Sequence, residues 1–177
     1  KLFGMKLLPN PVKYDINQTT TQEAITTYIY NSAGQLVQTT LPDGEVITYT
    51  YDDAHRLIGM TDSLGNRIAY TLNAAGDITQ TDSYDPQGQL AKRSQQQFDQ
   101  LGRLEQAISN NGQYQTYGYD AQEDLNKTQD ALGRVYREDH DNLGRITTST
   151  DALGNQVSYT YNALGQLIAA TDARGNT

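Results

Sequence analysis

The residues of this 177-residue chain best suited to acid–base or metal chemistry are two histidines among many carboxylates. His140 lies in the run Arg137-Glu138-Asp139-His140-Asp141, and an imidazole beside three carboxylates would suit a general base or a metal site. Those neighbours alternate between two faces if the segment is a strand, so they do not converge. His140 also stands where other parts of the chain carry Tyr, and the expectation is a structural substitute for Tyr. His55 stands where other segments carry Gly and is expected to face solvent. Neither His has a positional reason to meet a nucleophile, so no Ser–His–Asp arrangement follows. Asp-rich turns suggest calcium, but each turn offers one carboxylate where calcium takes about six to eight oxygens. Asp52 and Asp53 are adjacent on one turn and serve to cap it. Arg56, Arg103 and Arg145 each follow a turn; a solvated rim or pairing with a nearby Asp is expected, with cargo or ligand contact as the alternative. Asn17-Gln18-Thr19 and Asn126-Lys127-Thr128 match the glycosylation acceptor pattern, which matters only in a eukaryotic secretory host. No catalytic, cofactor or metal residue is expected.

What positions these residues is a repeat. Fourteen turn signals recur every 10 or 11 residues, in two alternating classes that give a 21-residue double period. The first class opens at Asn31, Asp52, Asn73, Asp99, Asp120, Asp141 and Asn162. The second opens at Leu41, Asp62, Asp85, Ser109, Asp130, Asp151 and Asp172. The spacing departs once, where five residues are inserted between Asn73 and Asp99. An Asp or Asn at the first position accepts a hydrogen bond from the backbone two residues on. Gly at the fourth supplies the positive φ of a bulged hairpin turn. Gly34, Gly76, Gly102, Gly144 and Gly165 fill that place in the first class, and Gly65, Gly133, Gly154 and Gly175 in the second. His55 and Glu123 stand there instead, at a cost of about 1 kcal/mol each if the backbone is left-handed.

Between turns remain six or seven residues, a normal strand and too short for helices. Before each first-class turn stands Tyr30, Tyr51, Leu72, Phe98, Tyr119, His140 or Tyr161, and two residues after it Leu36, Leu57, Ile78, Leu104, Leu125, Ile146 or Leu167. A second aromatic lies two earlier at Tyr28, Tyr49, Tyr70, Tyr117 and Tyr159, so the aromatics form a ladder on one sheet face. The pattern predicts an all-β meander of antiparallel hairpins, with large destabilisation on truncating Tyr51 or Leu57 if they are well buried. Residues 1–27 lack the turns and read as a degenerate repeat or an N-terminal capping segment, with seven repeats over 28–177.

Leu, Ile, Val and Phe supply only 34 residues, while Tyr contributes 13 against two Phe and no Trp. Few apolar residues suffice when fixed offsets stack them. A net charge of −8 with scattered basic residues argues against nucleic acid. The absence of Cys excludes disulfides and thiol chemistry. No stretch has the roughly 20 apolar residues of a membrane span.

The unit YTYDDAHRLIGMTDSLGNRIAY, the run from Tyr117 to Arg134, and YTYNALGQLIAATDARGN resemble the YD repeat of the RHS family. That family includes bacterial polymorphic toxins, the shell component of Tc insecticidal toxins and the teneurins. The resemblance implies a curved, spiralling sheet that is part of a hollow β-shell, often around a C-terminal toxin domain, in a secreted or cell-surface delivery system. The family's self-cleaving segment is not matched: Asp85-Pro86-Gln87-Gly88 reads as an ordinary turn. The expected function is therefore a non-catalytic wall segment enclosing a toxin or other cargo domain, together with further repeats of a longer chain. An extracellular module binding a glycan or receptor is the alternative. Up to 15 strands at about 4.8 Å make a sheet roughly 70 Å wide. A 100-residue cargo needs a circumference above about 100 Å, so this length makes less than one turn of wall. KLFGMKLLPNP, with two prolines, is expected to cap one edge. The other edge, at ARGNT, is expected to self-associate or to be covered by further chain.

Overall fold

The computed structural model describes residues 24–177; the expected cap lies, for residues 1–23, outside the described residues. Fourteen strands follow one another: β1 (Thr27–Tyr30), β2 (Leu36–Thr40), β3 (Val46–Tyr51), β4 (Leu57–Asp62), β5 (Arg67–Leu72), β6 (Ile78–Tyr84), β7 (Leu90–Phe98), β8 (Leu104–Ile108), β9 (Tyr114–Tyr119), β10 (Leu125–Asp130), β11 (Val135–His140), β12 (Ile146–Thr150), β13 (Gln156–Tyr161) and β14 (Leu167–Asp172). They form one antiparallel sheet in strict sequence order, and β1 does not pair with β14, so the sheet is open. Asn176 and Thr177, after the last turn, form no strand. At about 4.8 Å per neighbour, 14 strands span roughly 62 Å. No helix among the described residues is long and apolar enough to cross a membrane.

All fourteen turns have one geometry. The N–H of the fourth residue donates to the carbonyl of the first, as Gly34 does to Asn31 at 3.0 Å, and the N–H of the first donates to the carbonyl of the fifth, as Asn31 does to Gln35 at 2.9 Å. The fourth residue is left-handed throughout, including His55 at φ 65° and Glu123 at φ 72°. Neither side chain relieves a left-handed backbone as Gly does. His55→Gly and Glu123→Gly are each expected to raise stability by up to about 1 kcal/mol, read as a higher midpoint in urea; a lowered midpoint for both would show that these side chains have a role the turn does not explain.

The left-handed residue also sets the register. Across every first-class turn the residue before it pairs directly with the aliphatic residue after it: Tyr30 with Leu36, Tyr51 with Leu57, Leu72 with Ile78, Phe98 with Leu104, Tyr119 with Leu125, His140 with Ile146 and Tyr161 with Leu167. Each pair sits at a bulge, which places the two side chains on the same face. The inserted residues between Asn73 and Asp99 lengthen β6 to 7 residues and β7 to 9, without changing the strand order.

This face is not a closed core. Among the described residues Thr39, Gly59 and Asp82 are buried, and no hydrophobic side chain is. The Tyr and Leu/Ile columns are half-buried or exposed, with Tyr30 59% and Leu167 54% exposed. Large truncation costs premised on full burial therefore shrink, since one layer of sheet has nothing stacked on either side. Tyr hydroxyls compensate. Tyr51, Tyr119 and Tyr161 donate to the carbonyls of Leu36, Leu104 and Ile146, at 2.8, 3.0 and 2.8 Å. Each ring thereby ties its strand to the one before, in the register that the pair contacts set.

Candidate functional site

The turns carry the densest polar chemistry. At Asp62, Oδ1 accepts from the N–H of Leu64 at 3.0 Å and of Asn66 at 2.8 Å, while Oδ2 accepts from Asn66 Nδ2 at 2.7 Å. Asn31 and Asn162 accept the two backbone N–H groups in the same way through Oδ1, while their Nδ2 groups donate to Gln35 and Gln166 Oε1. Leu41 and Ser109 lack the carboxylate; there Asp43 accepts from the N–H of Glu45, and the Ser109 hydroxyl has Asn111 Oδ1 and the carbonyl of Gln113 as alternative acceptors.

The arginines pair with the Asp that opens their own turn. Nε of Arg56, Arg103 and Arg145 donates to Oδ2 of Asp52, Asp99 and Asp141 at 2.8, 2.8 and 2.7 Å. Arg134 does likewise to Asp130 at 2.6 Å, a member of the set that the sequence reading did not single out. Two of these guanidinium groups also lie over a ring of the next first-class repeat: Arg103 over Tyr119 at 4.5 Å and Arg145 over Tyr161 at 4.6 Å. An Asp–Arg–Tyr clamp thus links neighbouring hairpins along one rim. In this geometry the arginines are engaged, not poised for ligand.

These contacts lower the carboxyl pKa values. Asp52 and Asp99 lie below the usual 3.8 chiefly through the backbone N–H of Arg56 and Arg103. Asp130 and Asp141 do so through the side chains of Arg134 and Arg145, and Asp151 and Asp172 through the amides of Asn155 and Asn176. A depressed folded-state pKa means that this stabilisation is complete above the unfolded value and is lost as pH falls through the folded values. The β-sheet signal in circular dichroism is therefore expected to fall as pH drops below about 3.8. Asn opens equivalent turns without titrating, so the double substitution D151N/D172N is expected to shift the acid midpoint to lower pH. An unmoved or raised midpoint would separate acid unfolding from these carboxylates.

On the other face, in the strands lengthened by the insertion, Asp82 pairs with Arg93 across β6 and β7. Arg93 Nε and Nη2 donate to Asp82 Oδ1 and Oδ2, both at 2.7 Å, and Gln80 and Tyr84 also donate to Oδ2. The Arg93 guanidinium is the main cause that holds this carboxyl below the usual value. A buried carboxylate with four donors is satisfied, and it reads as a staple between the two longest strands.

His140 occupies the Tyr place at the end of β11. Its sequence neighbours Glu138, Asp139 and Asp141 do not close on its ring. Instead Nδ1 lies 3.4 Å from Asp120 Oδ2, on the preceding hairpin of the same rim, and Asp124 completes a group whose ligand-type atoms all lie within 4.8 Å of one another. His55 is at an exposed turn. Two surface hollows, one bounded by Gln96, Tyr114, Asp130 and Arg134 and the other by Gln80, Phe98 and Asp99, are open dishes that contain neither histidine.

Leucines project from both rims: Leu64, Leu132 and Leu153 at second-class turns, Leu101, Leu143 and Leu164 at first-class turns, each at least 67% exposed. They sit in the third place of the turn, where the side chain points off the sheet edge.

The RHS Repeat family model matches residues 16–46, 30–67, 51–83 and 140–177. No curated protein matches the chain. Among solved structures, the crystal structure of TcdB2-TccC3-Cdc42 aligns with 83% of this chain and 10% of its own at 14% identity and a TM-score of 0.54. That of TcdB2-TccC3 aligns with the same values. The Photorhabdus luminescens Tc holotoxin pore covers 85% of this chain and 11% of its own at 13% identity and a TM-score of 0.49. At such identities the TcdB2-TccC3 likeness is one of fold, and this chain spans about a tenth of the length of the toxin chains it matches. A repeat model that matches more than half of the residues, on a sheet built from one hairpin unit, establishes that the chain belongs to the RHS Repeat family.

Proposed function

We propose that residues 28–177 are seven repeats of the wall of a hollow, curved β-shell that encloses a toxin or other cargo domain. Residues 1–27 enter or cap this array, and further repeats complete the enclosure. The segment acts by confinement and not by catalysis, in a secreted or cell-surface delivery system. One observation carries the reading: a 14-stranded sheet in strict sequence order has no buried hydrophobic side chain and no closure on itself. A domain that folds around its own core does not look like this, whereas a wall does. The exposed leucines on both rims support it, because rows of apolar turns suit contact with neighbouring coils of the same wall. The edges of β1 and β14 would pair with further repeats, or with a second copy when those repeats are missing.

Protease protection in the full-length protein tests this. A cargo domain inside the wall should resist digestion that destroys the same domain expressed alone, and should become sensitive once the wall is opened by acid. Equal sensitivity in both settings would overturn confinement. A full-length protein that lacks any enclosed domain, yet binds a glycan or receptor through this surface, would replace the reading with recognition.

A further inference from the structure

Two of the seven first-class repeats show what the repeat at Asp120 has exchanged. At Asp99 and Asp141 the fifth turn residue is Arg103 or Arg145, which neutralises the turn Asp and lies over Tyr119 or Tyr161. In the repeat between them both partners differ: Asp124 stands in the Arg place and His140 in the Tyr place. The cation is gone, a second carboxylate has replaced it, and the ring it would have covered is an imidazole. Asp124 still closes the turn, its N–H donating to Asp120 Oδ1 at 2.9 Å, so Asp120 Oδ2 is left without the guanidinium it meets elsewhere.

His140 supplies the second, independent observation. Its side chain is more than nine-tenths buried, at 8% exposed, and Nδ1 has no hydrogen-bond partner although it faces Asp120 Oδ2 at 3.4 Å. A Tyr here would send its hydroxyl to a backbone carbonyl of the strand before, as Tyr51, Tyr119 and Tyr161 do. An imidazole is too short for that and turns its nitrogen toward the carboxylates.

We propose that Asp120, Asp124 and His140 form a divalent-cation site that replaces the Asp–Arg–Tyr clamp in this one repeat. One imidazole nitrogen and two carboxylate oxygens suit a borderline transition ion such as Zn2+ or Co2+ better than Ca2+, which takes more oxygens. Bonds of about 2.0–2.2 Å put tetrahedral ligand atoms roughly 3.3 Å apart. The Nδ1–Oδ2 edge already has that length, and the remaining edges close by a modest movement of the Asp124 carboxylate, which lies over the Gly144 turn with nothing but hydrogen on the glycine to meet it. The metal then pins the hairpin turning at Asp120 to the one turning at Asp141. It supplies the positive charge that Arg103 and Arg145 supply on either side.

Calorimetric titration with Zn2+ tests this in the intact chain, freed of metal and carrying no histidine tag. About one ion per chain is expected, with Ca2+ unable to compete. The double substitution D124R/H140Y restores the clamp found at Asp99 and Asp141, so it is expected to fold and to lose Zn2+ affinity by more than roughly tenfold. H55A, which removes the other histidine, is expected to bind as the parent does. Co2+ in place of Zn2+ gives visible bands whose imidazole-dependent shift should vanish in H140Q, a variant that decides the question if D124R/H140Y fails to fold. Absence of binding to the parent, or full affinity in a folded D124R/H140Y or H140Q variant, would overturn the proposal.

Discussion

Tyr51→Ala is expected to lower stability by about 2–3 kcal/mol, while Tyr51→Phe lowers it by about 1 kcal/mol. Tyr51 ends β3, pairs with Leu57 across the bulge, and donates its hydroxyl to the Leu36 carbonyl at 2.8 Å. The ring is half-buried, and against a partly compact unfolded chain its truncation to Ala returns about 50–80 Å² of apolar area to water, about 1–2 kcal/mol at about 25 cal/mol per Å². Loss of the hydrogen bond accounts for the rest of the alanine effect, and for nearly all of the phenylalanine effect. Urea unfolding of the intact chain reads both differences. Equal effects for Ala and Phe would mean that the ring contributes nothing beyond its hydroxyl, and the pairing of aromatic with aliphatic residue would lose its energetic meaning.

Gly59→Val is the second large effect, at about 2–3 kcal/mol. Gly59 is buried in β4 between Thr50 of β3 and Ala69 of β5. A Cβ there would lie 3.0 Å from the Ile68 carbonyl oxygen, a backbone atom that cannot turn aside. The row Gly59, Ala69, Asp82 runs along the face opposite Tyr49, Tyr51 and Tyr70, so bulk at Gly59 forces β4 and β5 apart near the buried Asp82. Gly118→Ala is the comparison: its Cβ meets the Lys127 Cβ at 3.2 Å, a looser contact that needs only a few tenths of an ångström of strand movement. Thermal unfolding should rank Gly59→Val well below Gly118→Ala. A reversed order would show that the close approach at Ile68 does not limit the sheet.

The hairpin array was legible in the sequence because turn chemistry is local. Asp62, Leu64, Gly65 and Asn66 contain within five residues every donor and acceptor that the turn needs, so their spacing alone fixes strand length and order. The direct pairing of Tyr51 with Leu57 follows from the left-handed His55 between them, which the period also marked. Burial was harder to read. Tyr at alternate positions gives a sheet face, but says nothing about whether a second layer covers it, and here none does.

Side-chain partners beyond the turn were legible only where the repeat supplied a template. Arg103 over Tyr119 joins residues 16 apart through neighbouring hairpins of one rim, a distance that no local pattern contains. Asp120 and Asp124 reach His140 by the same route, so the carboxylates beside the imidazole are not its sequence neighbours Glu138, Asp139 and Asp141. Comparing each repeat with the others at fixed places would have found them, since Asp124 and His140 both depart from the pattern. Asp82 and Arg93 had no such signal, because the inserted residues put that pair outside the repeat register.

Cryo-electron microscopy of the full-length protein that carries these repeats would show whether they form a wall. The expected result is a hollow particle whose wall contains β1 to β14 in unbroken sequence order, with further strands hydrogen-bonded beyond β14 and density for a separate domain inside. A particle in which residues 28–177 fold back on themselves into a closed barrel or a sandwich with its own core would contradict it.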